Sequence, residues 1–309
     1  MSSKIVVVGS TNTDMVIKAD HLPKPGETIL GGTFFMNPGG KGANQAVAAA
    51  RLGSNVTFIS KIGNDIFGRQ AIQLFEEEGI NTSYIFSDPN NPSGVALITI
   101  DNQAENCIVV ASGANALLHP KDIVKAMPAI EEASFVLMQL EIPIDTVEFI
   151  TDMAIRSKMR IILNPAPAPT KALSDNLMKN LYIITPNRVE AEMLTGIKVN
   201  DIDSAKLAAK ALQDKGVKIV IITLGEQGAL VLDNNVFIEI PAEKVTAVDT
   251  TAAGDVFNAA LAVALSEGRY IVDAVKYANK AASIAVTRLG AQSSAPYKSE
   301  VILLANVEK

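Results

Sequence analysis

Apolar residues fall into short β-branched runs along the chain: IVVVG at 5–9, VTFIS at 56–60, FVLMQL at 135–140, RIILN at 160–164, YIITP at 182–186 and IVIITLG at 219–225. Unbroken runs of this length read as strands covered on both faces, because a strand with one wet face would alternate. Between them apolar positions recur at helical spacing, over 42–52, 67–78, 144–157, 188–194 and 204–215, and Gly53, Gly79 and Gly216 stand where three of these helices would end. Strand and helix in alternation predict βαβ units around a mostly parallel sheet flanked by helices, an α/β fold. The segments 253–265 and 273–286 are Ala-rich and apolar on nearly every side, as helices packed between layers are.

Two stretches break this plan. The segment 11–36 and the pair VALITID (95–101) and ENCIVVA (105–111), joined at Asn102, Gln103 and Ala104, read as antiparallel hairpin strands. They form either a small antiparallel β sheet beside the core, able to act as a lid, or an edge extension of the main sheet, and the pattern leaves both open. The first option divides the chain into an α/β core of 1–10, 40–93 and 112–309 and a lid of 11–39 and 94–111. A small sheet carrying Val95, Leu97, Ile98, Ile108 and Val110 cannot bury both faces alone, so this option brings with it a homodimer formed through the lids.

Composition narrows the function classes. The chain has 309 residues, 48% of them hydrophobic, with 27 Lys+Arg against 33 Asp+Glu for a net charge of −6. That describes a globular chain of one or two domains, and the lack of a basic cluster interleaved with aromatics argues against nucleic acid as a partner. The single cysteine, Cys107, forbids an intrachain disulfide and a Cys-rich metal centre, and fits a reducing compartment. The apolar run at 5–8 is too short for a signal-peptide core or a membrane span, so a cytoplasmic protein without a membrane partner is expected. His21 and His119 are too far apart in sequence to suggest a paired-His metal site, and ordinary surface positions are expected for both.

Two dinucleotide and phosphate motifs fail. Gly40-Lys41 is followed by Gly42, with Phe35 where a P-loop needs its first glycine, and Gln45 stands where a GxGxxG frame starting at Gly40 needs its third. A dehydrogenase is therefore disfavoured. What remains is Gly39-Gly40-Lys41-Gly42-Ala43-Asn44 leading into a helix, which either exposes backbone N–H groups to a polyhydroxy or anionic ligand or is simply a tight loop. The second constellation is Asp249-Thr250-Thr251-Ala252-Ala253-Gly254-Asp255 at the start of the apolar helix. Asp255 is either a first-turn carboxylate favouring the helix dipole, or a general base beside an anion hole built from the N–H groups of Ala252, Ala253 and Gly254.

At this separation the two motifs resemble the signature regions of the ribokinase-like carbohydrate kinases, the PfkB family. The resemblance extends over essentially the whole chain: Asn12-Thr13-Asp14, GGKGANQAVAAARLG at 39–53, GANA at 113–116, Gln139-Leu140-Glu141, NPAPA at 164–168, TPN at 185–187 and VTRLGAQSS at 286–294. These further stretches favour the family's ribose-phosphorylating branch. The resemblance implies an ATP- and Mg²⁺-dependent kinase transferring phosphate to O5 of D-ribose, giving ribose 5-phosphate and ADP. Deoxyribose, fructose or a nucleoside are related acceptors, and a non-catalytic sugar-binding protein is the alternative of a different class.

Carried over position by position, the resemblance implies sugar contacts at Asn12, Thr13, Asp14, Gly39, Gly40, Lys41, Gly42, Asn44 and Glu141, with Asp255 as the base. For ATP it implies Asn187, the loop Thr223-Leu224-Gly225-Glu226-Gln227-Gly228, Gly254 and Asn279. Glu190, three residues after Asn187 in an N-x-x-E pattern, would organise Mg²⁺ through water, or would merely form a helix cap with Asn187. An activating K⁺ would lie between Asp249 and Thr251 on one loop and Ala285, Arg288, Gly290 and Ser294 on another, held mostly by carbonyl oxygens. One departure is Ala252, where many family members have glycine, since alanine narrows the allowed backbone angles.

Overall fold

The computed structural model describes residues 4–103, 105–156 and 159–307, so Ala104 of the expected hairpin turn and Ser157 of the expected helix end lie outside the described residues. In chain order β1 (Lys4–Val8) is followed by β2 (Asn12–Lys18), β3 (Thr33–Gly39), α1 (Lys41–Arg51), β4 (Asn55–Gly63), α2 (Ile66–Glu77) and β5 (Asn81–Asp88). A second excursion, β6 (Gly94–Ile100) and β7 (Asn106–Ala111), precedes α3 (Pro120–Glu131), β8 (Phe135–Met138), α4 (Ile144–Arg156), β9 (Ile161–Leu163), α5 (Asp175–Lys179) and β10 (Ile183–Ile184). Then come α6 (Arg188–Thr195), α7 (Ile202–Asp214), β11 (Ile219–Thr223), β12 (Ala229–Asp233), β13 (Val236–Ile240), α8 (Ala253–Ser266), α9 (Ile271–Ala285) and α10 (Lys298–Val307).

The main sheet has the order β13-β12-β11-β10-β9-β8-β1-β4-β5 and is parallel from β11 to β5, with β12 and β13 added antiparallel at one edge. Three of these strands, β5, β12 and β13, were not anticipated. They lie toward the edges, where polar residues such as Ser83 and Glu239 interrupt the apolar run. Within β1, Ile5 and Val7 belong to the core beneath α1, α8 and α9, while Val6 and Val8 belong to the core on the other face with α3, α4 and α7. The sheet is thus buried on both sides, as the continuous runs predict. The chain leaves β1 toward β4 on one side and later returns to β8 on the other, which opens a crevice at the carboxyl end of β1.

The outlying strands form a separate sheet in the order β3-β2-β6-β7, so the edge-extension alternative is not realised. Its outer pairs are antiparallel hairpins, whereas the central pair β2–β6 is parallel because both hairpins leave the core at one place, with Asn12 opposite both Gly39 and Gly94. Asn115 fastens these roots: it accepts from Thr11 N at 2.9 Å and donates to Asn12 Oδ1 at 2.8 Å. Phe34, Met36, Leu97, Ile108, Val109 and Val110 are exposed on this sheet.

Two helices reach the crevice. Helix α1 begins after Gly40, whose φ of 90° a side chain would rarely tolerate, and a Cβ there would also meet Asn12 N at 2.7 Å. At Gly42 the helix lies directly on the end of β1, where a Cβ would come within 2.5 Å of the Gly9 backbone. Helix α8 is buried continuously from Asp255 to Ala264, and its alanines let it pack closely between α1 and α9. His119 is half-buried rather than an ordinary surface residue: it precedes α3, and its backbone N–H donates to Asp122 Oδ2 at 3.2 Å. Among the described residues no helix is long and apolar enough to cross a membrane.

Candidate active site

The first turns of α1 and α8 bring Asn44 to Asp255, residues far apart in sequence. Asn44 Nδ2 donates to Asp255 Oδ2 at 2.9 Å, and Gln45 Nε2 donates to Asp255 Oδ1 at 2.9 Å. Burial pushes the Asp255 carboxyl above its usual range, against the lowering effects of Lys41 and of these two amide donors. A buried carboxylate with raised proton affinity is suited to accepting a proton near neutrality. Asn44 Oδ1 is buried and has no hydrogen-bond partner among the described residues, so the residue presents an acceptor that a hydroxyl could satisfy.

An open cleft of about 470 Å³ is lined by Ser10, Asn12, Asn115 and Glu141 with apolar residues such as Leu140 and Pro143, and Glu141 connects it to the start of α1. Glu141 Oε2 accepts from the Ser10 hydroxyl and from Lys41 N, the latter at 3.0 Å. Asp14 projects over Gly39, where a Cβ would overlap its carboxylate. Burial, and then the Glu141 charge, push Asp14 up to about 6, while Lys41 acts in the opposite direction. Burial lowers the proton affinity of Lys41, but Asp255, Glu141, Glu190 and Asp14 together raise it above the ordinary lysine value. The lysine is the cationic hub of four carboxylates. Thr13 is half-buried on β2, opposite Pro38 and Val95.

Helix α8 starts from Ala252 at φ 60° and ψ 8°, the left-handed region, with no side-chain cap. Here the departure from glycine is realised as strain at a functional position. The Ala253 N–H donates to Thr250 O at 3.2 Å, so of the three expected anion-hole residues this one has its N–H engaged. The N–H groups of Gly254 and Asp255 have no backbone acceptor among the described residues, as helix geometry leaves the first turn. The position a Cβ of Gly254 would take is open space.

The two loops expected around K⁺ do come together. Asp249 Oδ1 accepts from Thr251 N and Oδ2 from Gly290 N, each at 2.9 Å, and Asp249 N donates to Val286 O at 3.1 Å. Burial acts to raise the Asp249 carboxyl, but the hydrogen bonds from Thr251 and Gly290 bring it below its usual value. The Arg288 guanidinium pairs with Glu300. Ala285 and Ser294 are buried, and the Ser294 hydroxyl donates to Ala291 O at 2.8 Å.

On the nucleotide side, Asn187 and Glu190 make a reciprocal cap at the start of α6: Asn187 Oδ1 accepts from Glu190 N and Glu190 Oε2 from Asn187 N, both at 2.9 Å. The capping alternative is therefore real, yet Glu190 also lies within electrostatic reach of Lys41 and Asp255, and burial raises its proton affinity. Asn187 bridges to Thr223, which opens the expected loop. In that loop Leu224 is buried, Glu226 is exposed, Gly225 and Gly228 have φ of 64° and 95°, and Gln227 Oε1 accepts from Arg188 at 2.5 Å. Asn279 donates to Ile240 O and Pro241 O at 3.3 and 3.1 Å, and Gly228 packs against the same 240–242 turn, so the loop and Asn279 converge.

Sequence reasoning assigned no role to Ser10, Gln45, Asn115, Asn164 or Asn258. Ser10 both donates to Glu141 and accepts from Gly42 N at 3.4 Å. The usable signal for Gln45 was an amide directly ahead of the apolar stretch 46–50 of α1.

A buried carboxylate next to open helix N–H groups, near a cleft whose polar lining is Ser10, Asn12, Ser112, Asn115 and Glu141, fits a phosphoryl-transferring enzyme with an alcohol acceptor. Residues 2–298 match the pfkB family carbohydrate kinase model, and the chain belongs to this family of sugar phosphotransferases. It is 43% identical over 302 residues to a ribokinase of Haemophilus influenzae, covering 98% of both chains. It is 38% identical over 292 residues to a deoxyribokinase of Salmonella typhi, covering 94% of this chain and 95% of that one. The solved structure of Arabidopsis thaliana ribokinase complexed with ribose and ATP matches it with a TM-score of 0.92 at 31% identity, over 98% of this chain and 99% of that one.

Proposed function

We propose that the protein phosphorylates D-ribose at O5 with ATP, giving ribose 5-phosphate and ADP. The observation that carries this reading is the Asn44–Asp255 pair: a base with both oxygens held, next to an amide acceptor awaiting a hydroxyl. Full-length similarity to ribokinases supports ribose as the acceptor. In this reading Asp14 and Glu141 accept hydrogen bonds from sugar hydroxyls, with Asn12, Thr13, Lys41 and the Gly39, Gly40 and Gly42 backbone completing the sugar site. Asp255 takes the proton from the 5-hydroxyl as that oxygen bonds to the γ-phosphorus of ATP and the bond to ADP breaks. The N–H groups of Gly254 and Asp255 stabilise the charge on the transferring group.

The residues around Asn187, Thr223 to Gly228 and Asn279 would hold ATP. Glu190 suits a hydrated Mg²⁺, because a buried carboxylate with one oxygen committed to a backbone N–H is eased by a counter-charge; bound Mg²⁺ would screen the phosphate charge. Asp249, depressed and bridging two loops, with the carbonyls near Ala285, Arg288, Gly290 and Ser294, suits K⁺ that fixes the anion-hole loop. The second sheet would be a lid over the sugar cleft, with its exposed apolar side chains joining two copies into a homodimer, and the enzyme would work in the cytoplasm. Sedimentation of the wild type as a monomer at micromolar concentration would refute the dimer.

The deoxyribokinase relative favours one second reading, 2-deoxyribose as acceptor. A coupled ADP-release assay with ribose, 2-deoxyribose, fructose and a nucleoside separates the readings. Ribose should give the highest kcat/KM, and replacing KCl by a bulky organic-cation chloride should lower turnover. Asp255→Asn should bind ribose normally and lose about 10²- to 10⁴-fold in kcat. Turnover within about threefold of wild type would exclude Asp255 as the base.

A further inference from the structure

Gln45 and three residues of the conspicuous sequence motifs, Gln139, Asn164 and Thr185, have no part in the chemistry described above. All four are buried. They lie on one hydrogen-bonded chain running from the carboxyl ends of the sheet strands to the first turn of α8. Gln139, just after β8, donates through Nε2 to Gln45 Oε1 at 2.6 Å. Gln45 Nε2 then donates to Asp255 Oδ1 at 2.9 Å and to Asn164 Oδ1 at 3.1 Å. Asn164 Nδ2 reaches Thr185 O at 3.4 Å, the Thr185 hydroxyl donates to Asn258 Oδ1 at 2.6 Å, and Asn258 Nδ2 donates to Gly254 O at 2.8 Å.

The chain has a direction. Gln139 supplies a donor to Oε1 of Gln45, which obliges the amide to turn Nε2 toward Asp255 and Asn164, both acceptors. The opposite orientation would set an amide oxygen against a carboxylate oxygen and an amide donor against the Gln139 donor. Asn44, the other donor to Asp255, is assigned to the sugar in the proposed reaction and has its Oδ1 unpartnered among the described residues. Gln45 is wholly buried and meets no substrate.

We infer that Gln45 is the positioning residue of Asp255: its amide, locked by Gln139, holds Oδ1 of the base in place and favours the ionised carboxylate, leaving Oδ2 to face the sugar hydroxyl. The inference rests on the reading of Asp255 as general base. Both ends of the α8 first turn are then braced from the sheet, Asp255 through Gln45 and the Gly254 carbonyl through Asn258. A buried carboxylate that loses one of two donors holds its proton more tightly and swings more freely.

The test is the pH profile of Gln45→Met, which keeps side-chain length without the amide. At neutral pH kcat should fall by about 10- to 100-fold with KM for ribose and ATP within about threefold, and the acid limb of the profile should move to higher pH. In an Asp255→Asn background the same substitution should change kcat less than about twofold, because the residue acts through the carboxylate. Gln139→Met, one link further away, should shift the acid limb in the same direction by less, and serves if Gln45→Met does not fold. A wild-type acid limb in these variants, with Asp255→Asn slowed by about 10²-fold or more, overturns the inference. Turnover by Asp255→Asn within about threefold of wild type would instead overturn the base assignment.

Discussion

The N-termini of α1 and α8 meet at the Asn44–Asp255 hydrogen bond, and neither has a side-chain cap of its own. They are finished differently. The first N–H groups of α1 are taken by distant parts of the chain: Lys41 N by Glu141, Gly42 N by Ser10 Oγ and Ala43 N by Ser10 O at 2.9 Å. In α8 Ala253 N is taken, by Thr250, and the N–H groups of Gly254 and Asp255 have no acceptor among the described residues. A helix end closed on a carboxylate is held rigid and presents side chains, here Lys41 and Asn44. An end left open is a receptor for an anion. In the proposed reaction one helix start positions the sugar side and the other receives phosphate.

The sharpest way to break this contrast is to add the same methyl group to each start. Gly254→Ala places a Cβ in open space, so the folded state should be at least as stable, while kcat falls by about 10- to 100-fold as the methyl crowds the anion position. Gly42→Ala instead drives a Cβ into the Gly9 backbone and should cost about 1–3 kcal/mol of stability, visible in denaturant melts. Equal stability loss in both would show that the two helix starts are not different in kind.

A smaller effect is expected from Glu141→Gln, which keeps an acceptor for Lys41 N but removes the charge that closes α1. KM for ribose should rise about tenfold with kcat changed less than about threefold. If kcat rather than KM responds, α1 is part of the chemical step and not only of sugar positioning.

Smallest is a pH effect at Asp14, whose carboxyl stands at about 6 because of burial and then Glu141. Protonation removes an acceptor, so ribose affinity measured by calorimetry should weaken several-fold as pH falls from about 7.5 to 5, and Asp14→Asn should abolish the dependence. The unliganded protein should respond with the opposite sign. The native state binds this proton more tightly than the unfolded chain, so Asp14 contributes rising stability as pH falls from about 6 toward 4.

Much of this was legible beforehand, for identifiable reasons. Strands buried on both faces announce themselves as apolar runs, which is why β1, β4, β8 and β11 were plain while the edge strands β5 and β13 were not. The turn Asn234-Asn235, with φ of 49° and 62°, joins β12 to β13 and was an unused hairpin signal. Helix α3 carries Pro128 in its interior, which blurs its periodicity. At the site, Asn44, Glu141 and Asp255 stood in recognisable motifs. Gln45 stood in one as well, but its part did not show, because a glutamine inside a buried helix is written with the same letter as one on the surface, and only the fold shows that its amide meets Asp255. The parallel joint between β2 and β6 was hidden for a similar reason: it depends on where two distant hairpins leave the core.

The hydrogen bonds that make the site also date it in the life of the chain. Asn44 and Gln45 find Asp255 across separations of 211 and 210 residues, and Ser10 finds Glu141 across 131. During synthesis the Asn44 amide exists long before its carboxylate partner does, and α1 cannot complete its contacts until α8 has been made. The early βαβ units therefore wait, with one face of the sheet uncovered, for the last third of the chain. Competence to react arrives with the closing of the core, because the Asp255 carboxylate and the open N–H groups of α8 belong to the last part of the chain to be made.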